Sequence, residues 1–415
     1  RTYVQLVREN KAFRRLWIAA VISMLGQWFN TIALFLLILE YTGSEFLLGL
    51  LFTVRMAGFA ILQPFIGLLA DRYNRKSLMI TSNLMQAVLA LCFLLVEDGN
   101  DIVWMIGLSG VMMILHGVYM TAERAALPNL VSEEDLATAG ALEAASWSTA
   151  LCMGAMLGGV VVSIFGTDAA FIIDSLTFIF GTLFLLKLTI PQTIDEKMKG
   201  PLFSTGIQNI KFGWKRIRSQ PALFRIVFAK ASWNIAGGGL AGVYLVLMGA
   251  DVDGFGAAFG FGLFFFARGL GTGVGPVVVR ACFKDEATWP SLIGYLVALS
   301  GMFYFLVGIS VSNALWITVV LVVFAHSASG ANWVLSTVLV QQWVEDEVRG
   351  RVFSADMLIL SVAFSASTTI AGYLTEYTEL GIQYGILLFS GVMIVSGIFF
   401  SLWKTDAPDR VQAVA

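Results

Sequence analysis

The sequence predicts an all-α membrane protein in which twelve membrane-spanning helices form two pseudo-symmetric six-helix bundles. Three observations lead to this prediction: twelve long apolar runs, basic residues confined to one side of those runs, and an internal repeat. Of the 415 residues, 58% are hydrophobic and 13% are charged, whereas a soluble domain carries about 25% charged residues. This composition indicates a chain whose solvent is a lipid bilayer.

Twelve apolar runs are each long enough to cross a bilayer, which requires about 20 residues for a hydrocarbon core of about 30 Å. We number them spans 1 to 12, and they cover residues 14–40, 46–70, 77–96, 102–125, 136–163, 168–190, 222–249, 255–280, 288–311, 314–342, 352–377 and 382–403. The basic N-terminal residues run straight into span 1, so we expect no cleavable signal peptide.

Lysine and arginine residues mark one side of the predicted spans. All 26 of them fall on that side except Arg55, Lys230 and Arg268, which lie within spans. Loops on the opposite side are acidic, as in residues 97–101. The positive-inside rule therefore predicts that both termini lie in the cytoplasm.

The two halves of the sequence repeat each other. Arg55 of span 2 matches Arg268 of span 8, and Glu143 of span 5 matches Asp356 of span 11, both at an offset of 213 positions. Parallel six-helix repeats related by an axis along the membrane normal occur in known transporters. The repeat therefore predicts two bundles with the same internal arrangement.

A polar segment separates the two halves and sets the predicted domain boundaries. Residues 191–221 carry apolar side chains such as Trp214 at helical spacing, with basic side chains such as Lys215 beside or opposite them. This pattern predicts an amphipathic helix that lies on the inner lipid surface or packs on the bundle. The predicted domains are a bundle at 1–190, this cytoplasmic linker, and a bundle at 222–415.

The short loop between spans 2 and 3 carries the most informative motif. Residues 67–76 read GLLADRYNRK and resemble the G-x-x-x-D-R-x-x-R-[RK] loop of the major facilitator superfamily, with Asn74 where the family usually has glycine. Residues 128–142, 169–178 and 344–354 resemble the bacterial branch that holds the enterobactin exporter and the macrolide-efflux proteins. The resemblance implies the major facilitator fold, the bacterial inner membrane, and export of a small amphipathic molecule.

Three functions stay open at the level of the sequence. The first is a secondary active transporter that exports amphipathic compounds, anionic ones among them, of the siderophore or drug type by alternating access, with protons as a candidate coupling ion. The second is a lysophospholipid-type lipid transporter, which would also use two arginines for a phosphate. The third is a non-transporting membrane receptor, which would show a degenerate gating loop or an added soluble domain. Neither of those features is visible in the sequence.

The residue pattern also predicts what the chain lacks. We do not expect an enzyme, because the sequence shows no nucleophile–base pair and no metal constellation. No cofactor and no metal site are expected. The expected partners are a small-molecule substrate and membrane lipids, with protons as a candidate, and no nucleic acid. We expect the chain to act as a monomer.

Polar side chains inside the spans are the candidates for substrate binding. Arg55 and Arg268 lie well inside spans 2 and 8, where a charge costs about 2.5 to 3.5 kcal/mol to insert. Each guanidinium offers a planar fork for a carboxylate or phosphate, and a structural ion pair or carbonyl clamp is the alternative role. The other candidates are Gln27, Asn30, Gln63, Asn234, His326 and Trp333, which would otherwise hold helices together.

Lys230 is the third basic residue inside a span. It lies one helical turn before Asn234 in span 7. Its side chain is expected either to reach back to the cytoplasm or to face the central cavity.

Charged residues at the cytoplasmic ends of the spans are candidates for a gate. The resemblance implies that Asp71 faces the N-terminus of span 11, where the helix dipole favours an anion. It also implies that a loop arginine pairs with an acid below span 4, for which Glu123 is the candidate. The predicted gating residues are Asp71, Arg72, Arg75, Glu123, Glu143, Arg349, Arg351 and Asp356. Fixing the topology alone is the alternative role.

Two titratable side chains inside the spans are candidates for coupling to protons. Asp174 is the deepest acid near the outer half, and an acid within a span marks a functional site by default. His116 is the other candidate, because histidine titrates near neutral pH. Structural hydrogen bonds between helices are the alternative role for both.

Overall fold

The computed structural model describes residues 1–192, 202–252, 254, 256–310 and 314–406. Helices make up nearly all of this part of the chain, and no strand occurs in it. The N-terminal half contains α1 (Tyr3–Glu9), α2 (Lys11–Thr42), α3 (Glu45–Arg72), α4 (Arg75–Cys92), α5 (Ile102–Leu130), α6 (Glu133–Thr149) and α7 (Ala155–Leu186).

The linker and the C-terminal half contribute eight further helices. They are α8 (Leu202–Ser219), α9 (Pro221–Gly238), α10 (Leu245–Ala250), α11 (Ala257–Cys282), α12 (Trp289–Ser310), α13 (Leu315–Trp343), α14 (Asp346–Tyr377) and α15 (Gly381–Leu402). A π-helical stretch joins α6 to α7 at Ala150–Gly154 and another joins α9 to α10 at Gly239–Tyr244. Helices α9 and α10 therefore form one continuous span 7.

Eleven helical segments of the described chain are long and apolar enough to cross a membrane. One of them, Glu133–Leu186, has 54 residues, far more than one crossing needs at 1.5 Å per residue. Gly166 interrupts it with φ 81° and ψ 176°, a backbone conformation that glycine adopts without strain. The segment therefore supplies spans 5 and 6, and the prediction of an all-α membrane protein with twelve spans is confirmed.

Polar side chains set the beginnings of the first spans. The side chains of Asn10, Ser44 and Asn74 each accept a hydrogen bond from a backbone N–H in the first turn of α2, α3 and α4. Such caps satisfy donors that the helix itself leaves unpaired. Asn74 has φ −62°, so the position where the family usually has glycine serves here as an N-cap in an ordinary backbone conformation.

The two halves pack closely on the side of the bundle where α2 ends and α3 begins, which we call the α2–α3 side. Gly159 of α7 faces Gly262 of α11, and a Cβ atom on Gly159 would lie 3.1 Å from the Gly262 Cα. Thr53 Oγ1 of α3 lies 3.0 Å from Thr368 Oγ1 and 2.7 Å from Thr369 Oγ1 of α14. Small residues therefore allow these helices to approach closely.

Candidate functional site

An aromatic layer fills the interface between the halves. Phe265 of α11 packs on Trp28 and on Phe35 of α2, with ring centroids 5.5 Å apart in both pairs. Phe35 also packs on Phe52 of α3 at 5.2 Å. The layer consists of Trp28, Phe35, Phe52, Phe261, Phe265 and Phe364. Both halves therefore contribute rings to one layer near the α2–α3 side.

A polar contact closes the same side beyond the aromatic layer. The Glu376 carboxylate near the end of α14 accepts hydrogen bonds from the Ser44 hydroxyl at 2.5 Å and from the Phe46 backbone N–H at 2.8 Å. The N-terminus of α3 favours an anion through its dipole and its unpaired N–H groups. Glu376 therefore ties the C-terminal half to the beginning of α3.

Arg55 and Arg268 lie one helical turn from the aromatic layer, one in each half. Phe52 precedes Arg55 by three positions and Phe265 precedes Arg268 by three, so both pairs keep the offset of 213. Arg55 Nη2 donates to Thr31 Oγ1 at 3.2 Å, while its buried Nη1 has no hydrogen-bond partner among the described residues. A spare buried donor of this kind is costly unless a ligand or water pairs with it.

Arg268 is partly held by the protein itself. Its Nη1 donates to the Ala241 carbonyl oxygen at 2.9 Å. Its Cζ lies 5.5 Å from the centroid of the Phe265 ring. The carbonyl clamp that the sequence left open as an alternative therefore exists for Arg268, and it uses one of five donors.

Asp174 is fully buried in α7. Asn30 is its polar neighbour, and Arg55 is near enough for the two charges to interact. Its oxygen Oδ1 would lie 2.9 Å from a Cβ atom on Gly26, so the carboxyl group packs directly on α2. Two predicted candidates for substrate binding, Asn30 and Arg55, and one for coupling are therefore brought together.

Gln27 of α2 meets His116 of α5 inside the N-terminal half. Gln27 Nε2 lies 2.7 Å from His116 Nδ1 of α5 and 3.4 Å from Gln86 Oε1 of α4. All three side chains line a cavity of about 30 Å³ within the N-terminal half. We call it the N-half cavity, and its polar lining residues are Ser23, Gln27, Asn83, Gln86, His116, Tyr119 and Glu123.

His326 lies in the interior of the C-terminal half. Its Nε2 is 2.6 Å from the Tyr304 hydroxyl and its Nδ1 is 3.2 Å from the Ser329 hydroxyl. Both ring nitrogens are therefore engaged by neighbouring side chains. The Asn234 amide donates to the Lys230 carbonyl oxygen at 3.3 Å, so it too is used within its own half. Trp333 is 43% exposed.

A buried ion pair in the C-terminal half was not foreseen. Lys230 Nζ of α9 donates to Asp356 Oδ2 of α14, and the two side chains are 2% and 0% exposed. The ammonium also lies 5.1 Å from the Trp333 ring centroid of α13. Lys230 therefore does not reach the cytoplasm. Asp356 lies ten positions into α14, about 15 Å along the helix. It therefore lies deeper than the cytoplasmic end of the span, where the sequence predicted it as a gating residue.

One signal in the sequence could have found this pair. Lys230 lies nine positions after Pro221, the first residue of α9, and Asp356 lies ten positions after Asp346, the first residue of α14. The two opposite charges therefore lie at similar depths in their helices. The position that corresponds to Lys230 in the first half is Trp17. Trp17 Nε1 donates to Ser146 Oγ of α6 at 2.8 Å, so a neutral contact joins the equivalent helices there.

The predicted gating residues fall into several environments. Arg75 Nη1 donates to the Ala125 carbonyl oxygen and to Asn129 Oδ1 of α5, both at 2.6 Å. Arg349 Nη2 donates to the Val344 carbonyl oxygen at 3.1 Å, and Arg351 lies 5.0 Å from the Phe212 ring centroid. Arg72 also interacts with another residue of the protein.

The two predicted acids of the N-terminal gate differ in burial. Glu123 is buried against the N-half cavity, and Glu143 is half-buried on α6. Asp71, and the substrate candidate Gln63, have side chains outside the part of the chain that the structure describes.

Helix α8 lies across both halves rather than apart from them. Its Gly206 packs on Phe65 of α3, and its Gly213 packs on the backbone of Arg351 in α14. Arg216 Nη2 donates to Glu345 Oε1 at 2.5 Å. The backbone N–H of Glu345 and this guanidinium lower the pKa of the Glu345 carboxyl. Packing on the bundle, one of the two roles left open, is thus observed for α8.

Twelve crossings in two repeated halves, with aromatic and charged side chains between the halves, define an α-helical membrane transporter. The family model described as Major Facilitator Superfamily matches residues 16–324. The chain therefore belongs to the Major Facilitator Superfamily. Membership of a family of transporters agrees with the prediction that the chain is not an enzyme.

Curated relatives match nearly the whole chain. The uncharacterized MFS-type transporter YfiS of Bacillus subtilis (strain 168) is 22% identical, covering 98% of this chain and 96% of the relative. Macrolide efflux protein A of Streptococcus pyogenes is 21% identical, covering 92% and 93%. The putative bacilysin exporter BacE of Bacillus subtilis (strain 168) is 22% identical, covering 82% and 81%. The predicted branch of bacterial efflux proteins is therefore confirmed.

Solved structures share the fold. A bacterial homolog of the human lysosomal transporter Spinster, in an inward-facing and occupied conformation, superposes with a TM-score of 0.73. The match covers 94% of this chain and 95% of that chain at 14% identity. The similarity establishes the common architecture.

Proposed function

We propose that this chain exports small amphipathic compounds, anionic ones among them, across the bacterial cytoplasmic membrane by alternating access. Efflux and exporter proteins among the relatives support export. The observation that carries the proposal is the pair Arg55 and Arg268, one from each half, one turn from the aromatic layer. The rings suit the apolar body of such a compound, and the guanidinium groups suit its anionic group.

The closed α2–α3 side supports a direction of loading. The aromatic layer and the contact of Glu376 with Ser44 and Phe46 join the two halves on that side. The distribution of basic residues makes the opposite side the cytoplasmic one. An exporter would load its substrate from the cytoplasmic side while these contacts hold the α2–α3 side together.

Alternating access also requires a state that is open to the outside, and in that state a gate must close the cytoplasmic side. We infer that Asp71, Arg72, Arg75, Glu123, Glu143, Arg349 and Arg351 take part in closing it, on the grounds of family resemblance and of their charge. Arg75 supports this role, because its bonds to Ala125 and Asn129 tie the beginning of α4 to α5. Asp174 and His116 stay candidates for coupling to protons, and Gln27, Asn30, Gln63, Asn234, His326 and Trp333 stay candidates for substrate contact.

A transport assay with purified protein in proteoliposomes tests the proposal. The panel contains a macrolide, a dipeptide antibiotic, an anionic siderophore, a neutral amphipathic dye and a lysophospholipid, each with and without a pH gradient. We expect uptake of at least one anionic amphipathic compound above that of empty liposomes, because the arginines favour anions. Transport of the lysophospholipid alone would contradict the proposal and support the lipid transporter instead.

We also propose the division into bundles at 1–190 and 222–415 with the linker 191–221 in the cytoplasm. The exposed positions Asn100 and Gln208 lie in an α4–α5 loop and in α8, respectively. In a variant without native cysteines, a membrane-impermeant maleimide added to right-side-out vesicles is expected to label Asn100→Cys and to leave Gln208→Cys unlabelled until the vesicles are opened. Labelling of both positions before opening would contradict this topology.

A further inference from the structure

Helix α8 presents three cations to the outside of the protein. Lys211, Lys215 and Arg218 are exposed, and their spacing of four and three positions places them on one face of the helix. We call these three residues the cationic face of α8. None of them forms an ion pair with a residue that the structure describes. The opposite face of α8 packs on the bundle through Gly213 and Ile217, which are buried, so the cationic face points away from the protein.

The helix packs on the sides of other helices rather than on their ends. Gly206 of α8 faces Phe65, which lies seven positions before the end of α3. Gly213 faces Ala355, which lies nine positions after the beginning of α14. At 1.5 Å per residue, these contacts lie about 10 Å and about 14 Å from the ends of α3 and α14. Helix α8 therefore lies beside the bundle, near the depth at which the hydrocarbon core meets the lipid headgroups.

A row of aromatic rings joins α8 to the outer surface of the C-terminal half. The ring centroid of Trp214 lies 6.5 Å from that of Phe224 of α9. The ring centroid of Trp403 lies 6.1 Å from that of Phe224 and 5.7 Å from that of Phe399 of α15. Phe399 and its neighbour Leu402 are exposed although they are apolar, as expected for a surface that faces lipid. Trp214 is itself exposed, and tryptophan favours the boundary between lipid and water.

Charge and position favour a lipid as the occupant of the cationic face. The distribution of basic residues makes this side of the protein the cytoplasmic one, and the cytoplasmic leaflet carries anionic lipids that attract basic side chains. Lysine and arginine can lay their apolar stems along lipid while their charged ends stay among the headgroups. The cationic face therefore suits the phosphate groups of anionic phospholipids better than it suits a soluble acidic protein.

We propose that the cationic face of α8 binds the headgroups of anionic phospholipids in the cytoplasmic leaflet. Helix α8 contacts α3 of one half and α14 of the other, and its Arg216 pairs with Glu345 directly before α14. Bound lipid therefore holds a helix that bridges the two halves. The binding does not depend on the proposed export function, because it uses none of the residues proposed to contact the substrate.

Quenching of a fluorophore by brominated lipids tests the proposal without any substrate. In the full chain without native cysteines, bimane is attached to Gln208→Cys, an exposed position one helical turn before Lys211. The protein is reconstituted with brominated phosphatidylglycerol or brominated phosphatidylcholine, and the ratio of their binding constants is measured. We expect phosphatidylglycerol to bind at least about fivefold more tightly, the effect of one cation near an anionic surface. Added NaCl should lower this ratio, because salt screens exposed charges.

Replacing the cationic face should abolish the preference for the anionic lipid. The triple variant Lys211→Gln, Lys215→Gln and Arg218→Gln is expected to bring the ratio close to one. Because all three side chains are exposed, we expect this variant to melt like the wild type in detergent. A lost preference in a folded protein then reports on lipid binding alone.

The matched control removes three exposed cations outside α8, by Arg8→Gln, Lys11→Gln and Lys284→Gln, and should keep the wild-type ratio. A ratio close to one in the wild type, or a preference that survives the triple α8 variant, would overturn the proposal. Loss of the preference in the control as well would also overturn it, since net charge would then explain the attraction. Absence of quenching by either lipid would place the cationic face in water and favour a soluble acidic partner instead. Failure of export with the lipid preference intact would contradict the proposed function alone.

Discussion

Replacing Asp356 with asparagine is expected to lower the free energy of unfolding by about 3–5 kcal/mol, because removing one partner of a buried ion pair leaves the other charge uncompensated. The Lys230 ammonium is almost completely buried between α9 and α14. The Trp333 ring at 5.1 Å is its other close favourable contact, and such a contact contributes about 2 kcal/mol at most when desolvated. Thermal unfolding of the purified variant in detergent should therefore show a large fall in melting temperature.

A double variant separates the cost of an unpaired charge from a general loss of packing. Lys230→Met with Asp356→Leu removes both charges at similar volume, and such replacements are often neutral or stabilising. We therefore expect the double variant to melt near the wild type and above either single variant. Lys284→Met, which removes an exposed cation, serves as the matched control. If Asp356→Asn melts like Lys284→Met, the pair does not stabilise the bundle.

Substituting alanine for Arg55 or Arg268 is expected to weaken binding of the exported anionic compound by about 2–5 kcal/mol, which is about thirtyfold to several-thousandfold in Kd. Arg55 should show the effect clearly, because its Nη1 is buried and has no hydrogen-bond partner among the described residues. Lysine at either position should restore binding only in part, since the bidentate fork is lost. Binding is measured for the panel compound that the wild-type protein exports.

A structural role for the arginines predicts a different outcome. Arg268 already donates to the Ala241 carbonyl oxygen, so Arg268→Ala could lower the melting temperature without any ligand. A role confined to structure would leave the preference for anionic over neutral compounds unchanged. Arg8→Ala, at an exposed position of α1, is the control for a general loss of positive charge. Unchanged affinity in a well-folded Arg268→Ala protein would exclude that residue from the binding site.

The repeat predicted more of the candidate site than single motifs did. The offset of 213 positions links Arg55 to Arg268 in the amino-acid sequence, and the structure extends the correspondence to Phe52 and Phe265. Duplicated halves place equivalent residues in equivalent surroundings. The position of one arginine next to an aromatic residue therefore predicts the same position for the other arginine. The same reasoning missed the ion pair of Lys230, because its equivalent Trp17 is uncharged.

The amino-acid sequence by itself determined which segments lie in the bilayer and which side of them is basic. Both properties are local, since the cost of inserting a residue depends on its own chemistry and on the length of its apolar run. Only the tertiary structure decided which helix faces meet. Lys230 and Asp356 are 126 positions apart, and five helices assemble the cavity at Glu123. A buried polar group is satisfied or left unpaired by neighbours distant in sequence, so its chemistry emerges only on packing.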